Sequence, residues 1–257
     1  LATGVNTSWP RAIWDAGISW PGETAPPLSV RLPWAGIWVM ITEARLSAGI
    51  SSDGGIKERM EAAVARLVNR QSGNGAFGLS SAYGDDSNLW LSSYVTDFLL
   101  RAREKGFEVP EDVLVSGVDY LRNMVANAPD IQAGSGQDMA YALYVLARAG
   151  RAPVGDLKYL TDTRINDFGS PLARAQMGAA LAMLGDTARA DVAFASANAA
   201  LMTAVETTTN RGYRPDYGSV LRDASAILAL ATDSKAKPEI ISTAMSAIEV
   251  ERARTSY

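Results

Sequence analysis

From Ile56 onward the chain repeats one pattern, in which apolar residues return every three or four positions with charged residues between them. In Ile56–Gln71 the apolar stripe is Met60, Ala63, Val64, Leu67 and Val68, while Lys57, Glu58, Glu61, Arg66 and Arg70 lie off it, as in an amphipathic helix. The same period runs through Leu89–Lys105, stopped by Gly106, and through Pro110–Ala128. There Pro occupies the first turn and Glu111 and Asp112 put negative charge at the helix start, where the macrodipole favours it. Further helices are predicted over Gln137–Ala149 (closed by Gly150), Val154–Ile165, Pro171–Leu184 (closed by Gly185), the Ala-rich Thr187–Val205, Tyr217–Ala231 and Pro238–Arg254. Pro33–Ala48 also reads as a helix, unusually apolar, with Trp34, Ile37, Trp38 and Ile41 on related faces. Period-two alternation and β-branched enrichment are almost missing, so the predicted class is all-α, with about ten to twelve helices.

The connections alternate in character. Lys105-Gly106-Phe107-Glu108-Val109 and Ala149-Gly150-Arg151-Ala152-Pro153 are terse helix stops, whereas Ser72–Asn88, Asp130–Gly136 and Thr207–Asp216 are long and all carry Gly. Alternating short and long turns between antiparallel helices gather the long ones at one end, as insertions gather in arrays of helical pairs. That end is the predicted working face. Leu172–Leu184, rich in Ala and Gly, suits the close packing of an inner ring. The predicted architecture is an α/α toroid forming one domain over residues 1–257, with the helical ring from 33 to 257. Residues 1–32 read as an irregular strap. Five of the six tryptophans (Trp9, Trp14, Trp20, Trp34, Trp38) fall in the first fifty residues, amid Pro10, Pro21, Pro26, Pro27 and Pro33. The chain starts without Met, and Glu251–Tyr257 reads as the end of a helix without a cap, which points to a piece of a longer protein.

Composition narrows the chemistry. With 47% hydrophobic and 20% charged residues the 257-residue chain is an ordinary globular sequence. It has no His and no Cys, which excludes Ser-His-Asp and Cys-His nucleophile pairs, thiolate and imidazole metal sites, and disulfides within it. A formal charge of -4 supplies no basic footprint for nucleic acid. No cofactor or metal is expected.

The remaining candidates are polar loops and aromatic residues. Asp85-Asp86, after Tyr83-Gly84, could bind a divalent cation or share a proton, but a solvated turn or cap before Leu89 is the simpler reading. Gln137-Asp138 opens a helix, with Asp138 near Tyr141, and capping is the better reading there too. Asp216-Tyr217-Gly218-Ser219 with Arg222-Asp223 forms a polar cluster at a helix start. Arg222 is a candidate partner for Asp97 or Asp138, and Tyr217 belongs to the same cluster. The Gly-rich loops lack phosphate-loop spacing. Trp34, Trp38, Tyr83 and Trp90 are candidates to line an apolar pocket at the mouth of the ring; the alternative is that they seal the bundle end.

Three separated blocks carry a resemblance. The first is Gln71-Ser72-Gly73-Asn74-Gly75-Ala76-Phe77-Gly78, followed by Leu89-Trp90-Leu91-Ser92-Ser93-Tyr94-Val95-Thr96-Asp97-Phe98-Leu99 and Gly106-Phe107-Glu108-Val109-Pro110. The second is Ala140-Tyr141-Ala142-Leu143-Tyr144-Val145-Leu146-Ala147-Arg148-Ala149-Gly150, and the third Asp216-Tyr217-Gly218-Ser219-Val220-Leu221-Arg222-Asp223. Over roughly residues 55–232 the chain resembles the thioester-bearing domain of bacterial alpha-2-macroglobulins. The Gln-to-Phe loop alone also resembles the repeat motif of terpenoid cyclases, but no Asp-x-Asp-Asp proton donor accompanies it.

The resemblance implies an α/α toroid within a much larger periplasmic protease-trapping protein. It also implies no enzymatic activity, with proteases and the parent's other domains as the partners. The reactive form of that family carries Cys-x-Glu-Gln near an early helix, after an aromatic-Pro-aromatic-Gly lead. The nearest counterpart here, Arg31-Leu32-Pro33-Trp34-Ala35-Gly36-Ile37-Trp38-Val39, has no Cys, Glu or Gln, so no thioester forms in it. The expected function is non-covalent protease trapping through protein contacts. The alternatives are a Trp-lined pocket for a hydrophobic small molecule and a terpenoid-cyclase-like enzyme.

Overall fold

The computed structural model describes residues 56–78, 88–207 and 218–254. Among them are nine helices: α1 (Ile56–Val68), α2 (Leu89–Glu104), α3 (Glu111–Ala126), α4 (Gln137–Arg148), α5 (Val154–Arg164), α6 (Pro171–Met183), α7 (Thr187–Glu206), α8 (Val220–Asp233) and α9 (Pro238–Arg254). A single 3-10 turn, Ile165–Asp167, follows α5, and the described residues hold no strand beyond isolated bridges. The predicted helix at Pro33–Ala48 and the strap at 1–32 lie outside the described residues.

Helix starts follow side-chain chemistry. Asn88, Ser170, Asp186 and Ser219 each accept a hydrogen bond from the backbone N–H three residues on, satisfying one orphan donor at the start of α2, α6, α7 and α8. Helix ends follow backbone geometry, and four of them are closed alike. After α2, α4, α6 and α8 a backbone N–H reaches back five residues, from Phe107 to Ala102, Arg151 to Leu146, Asp186 to Leu181 and Ala236 to Ala231, at 2.8–3.0 Å. Each such cap needs one left-handed residue. Gly106, Gly150 and Gly185 supply it at φ +85°, +70° and +78°, and Lys235 supplies it at +52° without glycine's freedom.

This repeated cap marks the even-numbered helices as one layer. α2 packs on α4, α4 on α6 and α6 on α8, while α3, α5, α7 and α9 lie outside, each packing on at least one inner helix. The inner helices α2 and α4 run parallel. Cross-helix bonds between α2 and α4 join Asp97 to Tyr141, Arg101 to Tyr144 and Glu104 to Arg148, at separations of 44, 43 and 44 residues, an offset that holds only for two helices pointing the same way. The described helices thus build the two-layered wall of an α/α toroid. Among the described residues, the 127–136 connection enters α4 at one end and the capped turns leave the inner helices at the other.

Between the layers lie Leu91, Leu99, Leu121, Leu143, Leu146, Met177, Leu181, Phe194 and Leu201, all buried. α6 is built for close approach: Ala173, Ala175, Ala179 and Ala180 are buried, and a Cβ on Gly178 would fall 2.9 Å from the Phe194 ring of α7. The Ala- and Gly-rich inner helix read from the sequence therefore occupies the inner layer. At the long-turn end the 127–136 connection meets the 165–170 turn through a Ser135–Phe168 bridge. No helix among the described residues is long and apolar enough to cross a membrane.

Candidate functional site

One stripe of α2 and one of α4 hold the richest polar chemistry among the described residues. Trp90, Tyr94, Asp97, Arg101 and Glu104 follow one another at steps of four, three, four and three, so they share a face of α2. Tyr141, Tyr144 and Arg148 share the facing stripe of α4. Parallel packing sets the two stripes side by side.

The stripe begins with aromatics. The half-buried Trp90 stacks on Tyr94 with centroids 5.3 Å apart and planes 9° from parallel. Tyr94 lies 6.5 Å from Tyr141, which lies 6.4 Å from Tyr144. These spacings fall within the attractive range of ring quadrupoles. One helical turn further along, charge takes over. Asp97, 7% exposed, accepts from Arg101 Nε at 3.0 Å and from the Tyr141 hydroxyl at 3.2 Å, with Arg148 Nε at 3.9 Å. The Tyr144 hydroxyl accepts from Arg101 Nη2 at 2.8 Å and Arg148 Nη1 at 3.3 Å, and Arg148 closes the network on Glu104. Two carboxylates thus meet two guanidiniums, and the tetrad is neutral.

The tyrosines and arginines at the seam hold their ordinary protonation states firmly. Burial, then the neighbouring Asp97 carboxylate, raises the pKa of Tyr94, and the same two causes raise Tyr141 and Tyr144. Burial would lower Arg101, but Asp97 and the tyrosine hydroxyls more than offset it and the pKa rises. The tyrosines therefore act as neutral hydrogen-bonding groups and the arginines as fixed cations. Asp97 is already engaged by three partners, so the chemistry of this network is positioning: it fixes the register of two parallel inner helices.

The residues singled out from the sequence fall in different places. Trp90 and Tyr141 enter the α2–α4 network. Arg222 does not reach Asp97; its guanidinium lies 2.6 Å from Asp223, which is 1% exposed at the start of α8, while Asp97 is taken by α2 and α4. Asp138 is exposed in the first turn of α4. The cap expected from Gln137-Asp138 is formed differently: Gly136, left-handed at φ 82°, is the N-cap, with no side-chain cap bond, and Asp138 contributes charge to the first turn. Trp34, Trp38, Tyr83, Asp85, Asp86 and Tyr217 lie outside the described residues.

Sequence reading by itself missed Tyr94, Arg101, Glu104, Tyr144 and Arg148 as members of a site. The available signal was the recurrence of aromatic and charged residues on one stripe of each of two otherwise apolar helices. A cleft of about 90 Å³ opens at the short-turn end between Leu100, Leu114, Val118, Arg103 and Glu111. It is well below the roughly 300–1,000 Å³ of an organic-ligand site. Among the described residues no group of three acidic side chains is placed to hold a metal ion.

Comparison with known proteins points one way. No family model matches the chain. The alpha-2-macroglobulin of Escherichia coli strain K12 is 35% identical over 207 residues, which is 76% of this chain and 12% of that protein. The crystal structure of native Escherichia coli alpha-2-macroglobulin from domain MG7 to the C-terminus superposes with a TM-score of 0.75 at 29% identity, covering 96% of this chain and 38% of that one. The trypsin-activated form of the Escherichia coli protein superposes at 0.72 and 29% identity, covering 91% of this chain and 16% of that one. The chain thus spans about an eighth of the curated relative's length. On sequence and fold together, it belongs with the bacterial alpha-2-macroglobulins, as a homologue of one segment of their C-terminal region.

Proposed function

We propose that the chain is the toroid segment of an alpha-2-macroglobulin-like protease inhibitor that holds its target without a covalent bond. The observation that carries this reading is the absence of any cysteine from 257 residues whose homologous segment covers nearly the whole chain. An internal thioester is made from a cysteine sulfur and a glutamine carbonyl, so this segment supplies no electrophile. What remains is protein contact. Among the described residues the side chains at the α2–α4 seam bond mainly to one another and the cleft at the short-turn end is small, which supports a packing module over a catalyst.

In this reading the partners are proteases and the other domains of the parent, the contact surface is the long-turn end, and the compartment is the bacterial periplasm. A relative that is trypsin-activated supports the choice of trypsin as a first probe. The test uses the full parent protein mixed with trypsin and then boiled in SDS. The expected result is no adduct heavier than the parent's own fragments, and no change in capture after pretreatment with a small primary amine, which destroys thioesters. An SDS-stable adduct that the amine abolishes would overturn the non-covalent reading and leave the family assignment standing.

A further inference from the structure

We propose that Asn74 is a modification site, a deamidation centre that the fold holds closed and that reacts when the turn at residues 72–77 lifts away from α3. The sequence contains a single Asn-Gly pair, Asn74-Gly75. Such a pair is chemically prone to self-modification, because glycine places no side chain in the way of its own backbone nitrogen. The reaction needs only water. The Gly75 nitrogen attacks Asn74 Cγ, a new N–C bond forms, the Cγ–Nδ2 bond breaks, and the proton from the nitrogen leaves with the amide as ammonia. Water then opens the succinimide at one of its two carbonyls. One opening gives aspartate; the other gives isoaspartate, with one extra carbon in the main chain.

The folded turn restrains every participant. Gly75 N–H donates to the Ser72 carbonyl at 2.9 Å, so the attacking nitrogen is engaged. Asn74 Oδ1 accepts from Ala76 N–H at 3.0 Å and from Ser72 Oγ at 2.5 Å, which fixes the amide group. Gly75 itself is buried at φ +90° against α3, so tightly that a Cβ there would fall 2.1 Å from the Ser116 carbonyl oxygen. Ring closure requires the Gly75 nitrogen to swing toward Cγ, and this contact leaves it no room.

The turn is pinned on both sides of the pair. The Gln71 side-chain amide donates to the carbonyls of Gly75 at 3.2 Å and Val113 at 2.8 Å. Phe77 N–H donates to Ser92 Oγ at 3.1 Å, and the Phe77 ring is fully buried beside Gly117. Asn74 is exposed, so water reaches it freely and geometry alone sets the rate. One effect runs the other way: the two donors on Oδ1 would stabilise the oxyanion of the tetrahedral intermediate. That stabilisation develops only after the nitrogen has closed on Cγ, the step the α3 contact blocks.

The two products have opposite consequences. Aspartate keeps the acceptor oxygen, and the turn closes again. Isoaspartate lengthens the chain between residues 74 and 75, and Gly75 cannot reseat against Ser116. Opening of this turn therefore leaves a lasting mark on the chain.

The test compares deamidation of the full chain in native buffer and in denaturant. The readout is the tryptic peptide Gln71–Arg101, whose fragment ions separate Asn74 from Asn88, and isoaspartate is assayed by methyltransferase labelling. Reaction at Asn74 is expected to be at least roughly tenfold slower in the native chain, the difference set by local opening. Gln71→Ala should raise the native rate several-fold, and Asn74→Gln should remove the signal. If Gln71→Ala does not fold, hydrogen exchange in the wild-type chain replaces it, and protection of Gly75 and Ala76 should track the deamidation rate. Equal rates in native and unfolded chains would overturn the proposal, as would a Gln71→Ala protein that folds and reacts no faster.

Discussion

Replacing Asp97 by Asn removes one charge and little volume, which makes it the sharpest probe of the α2–α4 network. The carboxylate is 10% exposed as a side chain, Arg101 31% and Arg148 18%. Arg148 retains Glu104 as a partner, whereas Arg101 has no other carboxylate among its described bonds. Removing one member of a buried ion pair costs about 3–5 kcal/mol when the survivor is stranded. With Arg101 nearly a third open to water, screening brings the cost somewhat below that range, and D97N should lose about 2–3 kcal/mol. D97A should lose about 1–2 kcal/mol more, because the Tyr141 hydroxyl then also loses its acceptor. Urea unfolding followed by far-ultraviolet circular dichroism measures this, with a lower midpoint and an unchanged slope. In a domain of this size the D97N loss corresponds to a fall in Tm of roughly 5–10 °C. Adding R101Q should recover part of the loss, since the stranded cation goes with it. A D97N protein within about 0.5 kcal/mol of wild type would refute the view that Asp97 holds the two inner helices in register.

The tyrosines predict an alkaline limit. Tyr94, Tyr141 and Tyr144 have folded pKa values above the ordinary phenol value near 10, so the folded state keeps protons that the unfolded state releases; their stabilisation is complete below pH ~10 and declines as pH rises beyond it. Tyrosinate absorbance in a pH titration should show these three ionising together with loss of helix, and independent ionisation in a fully helical chain would contradict the burial argument. The shared helix caps predict a pair of opposite effects. Gly150→Ala meets no atom within 4 Å but must hold φ +70°, and should cost about 1 kcal/mol. Lys235→Gly relieves a φ of +52° and should be neutral to stabilising by up to ~1 kcal/mol in thermal unfolding; a clear loss there would contradict the cap assignment.

The helices were legible in the sequence because local signals set them. Pro238–Arg254 agrees at both ends, and Leu89–Lys105 differs from α2 by one residue at its end. The misses have local causes. The helix read to Gln71 stops at Val68, where Gln71 turns to pair with Phe77 across the turn. The one read from Tyr217 starts at Val220, because Ser219 caps it, and the end of Val154–Ile165 tightens into a 3-10 turn. Parallel inner helices followed from turn lengths. The network did not, because its meaning lies in an offset of about 44 residues between two helices, which no single-helix periodicity encodes. Arg222 was matched with Asp97 or Asp138, whereas among the described residues its guanidinium bonds to its neighbour Asp223. The aromatic residues expected at the toroid mouth contribute one described member, Trp90, and it is stacked on Tyr94.

The central claim, that this toroid serves an inhibitor which encloses its target without bonding to it, is tested most directly by accessibility. Trypsin would be mixed with the full parent protein, and its activity measured on a small peptide substrate with and without a macromolecular trypsin inhibitor. The account predicts that peptide cleavage persists in both cases, because enclosed trypsin admits the peptide and excludes the inhibitor. Trypsin that the macromolecular inhibitor still silences completely would contradict it.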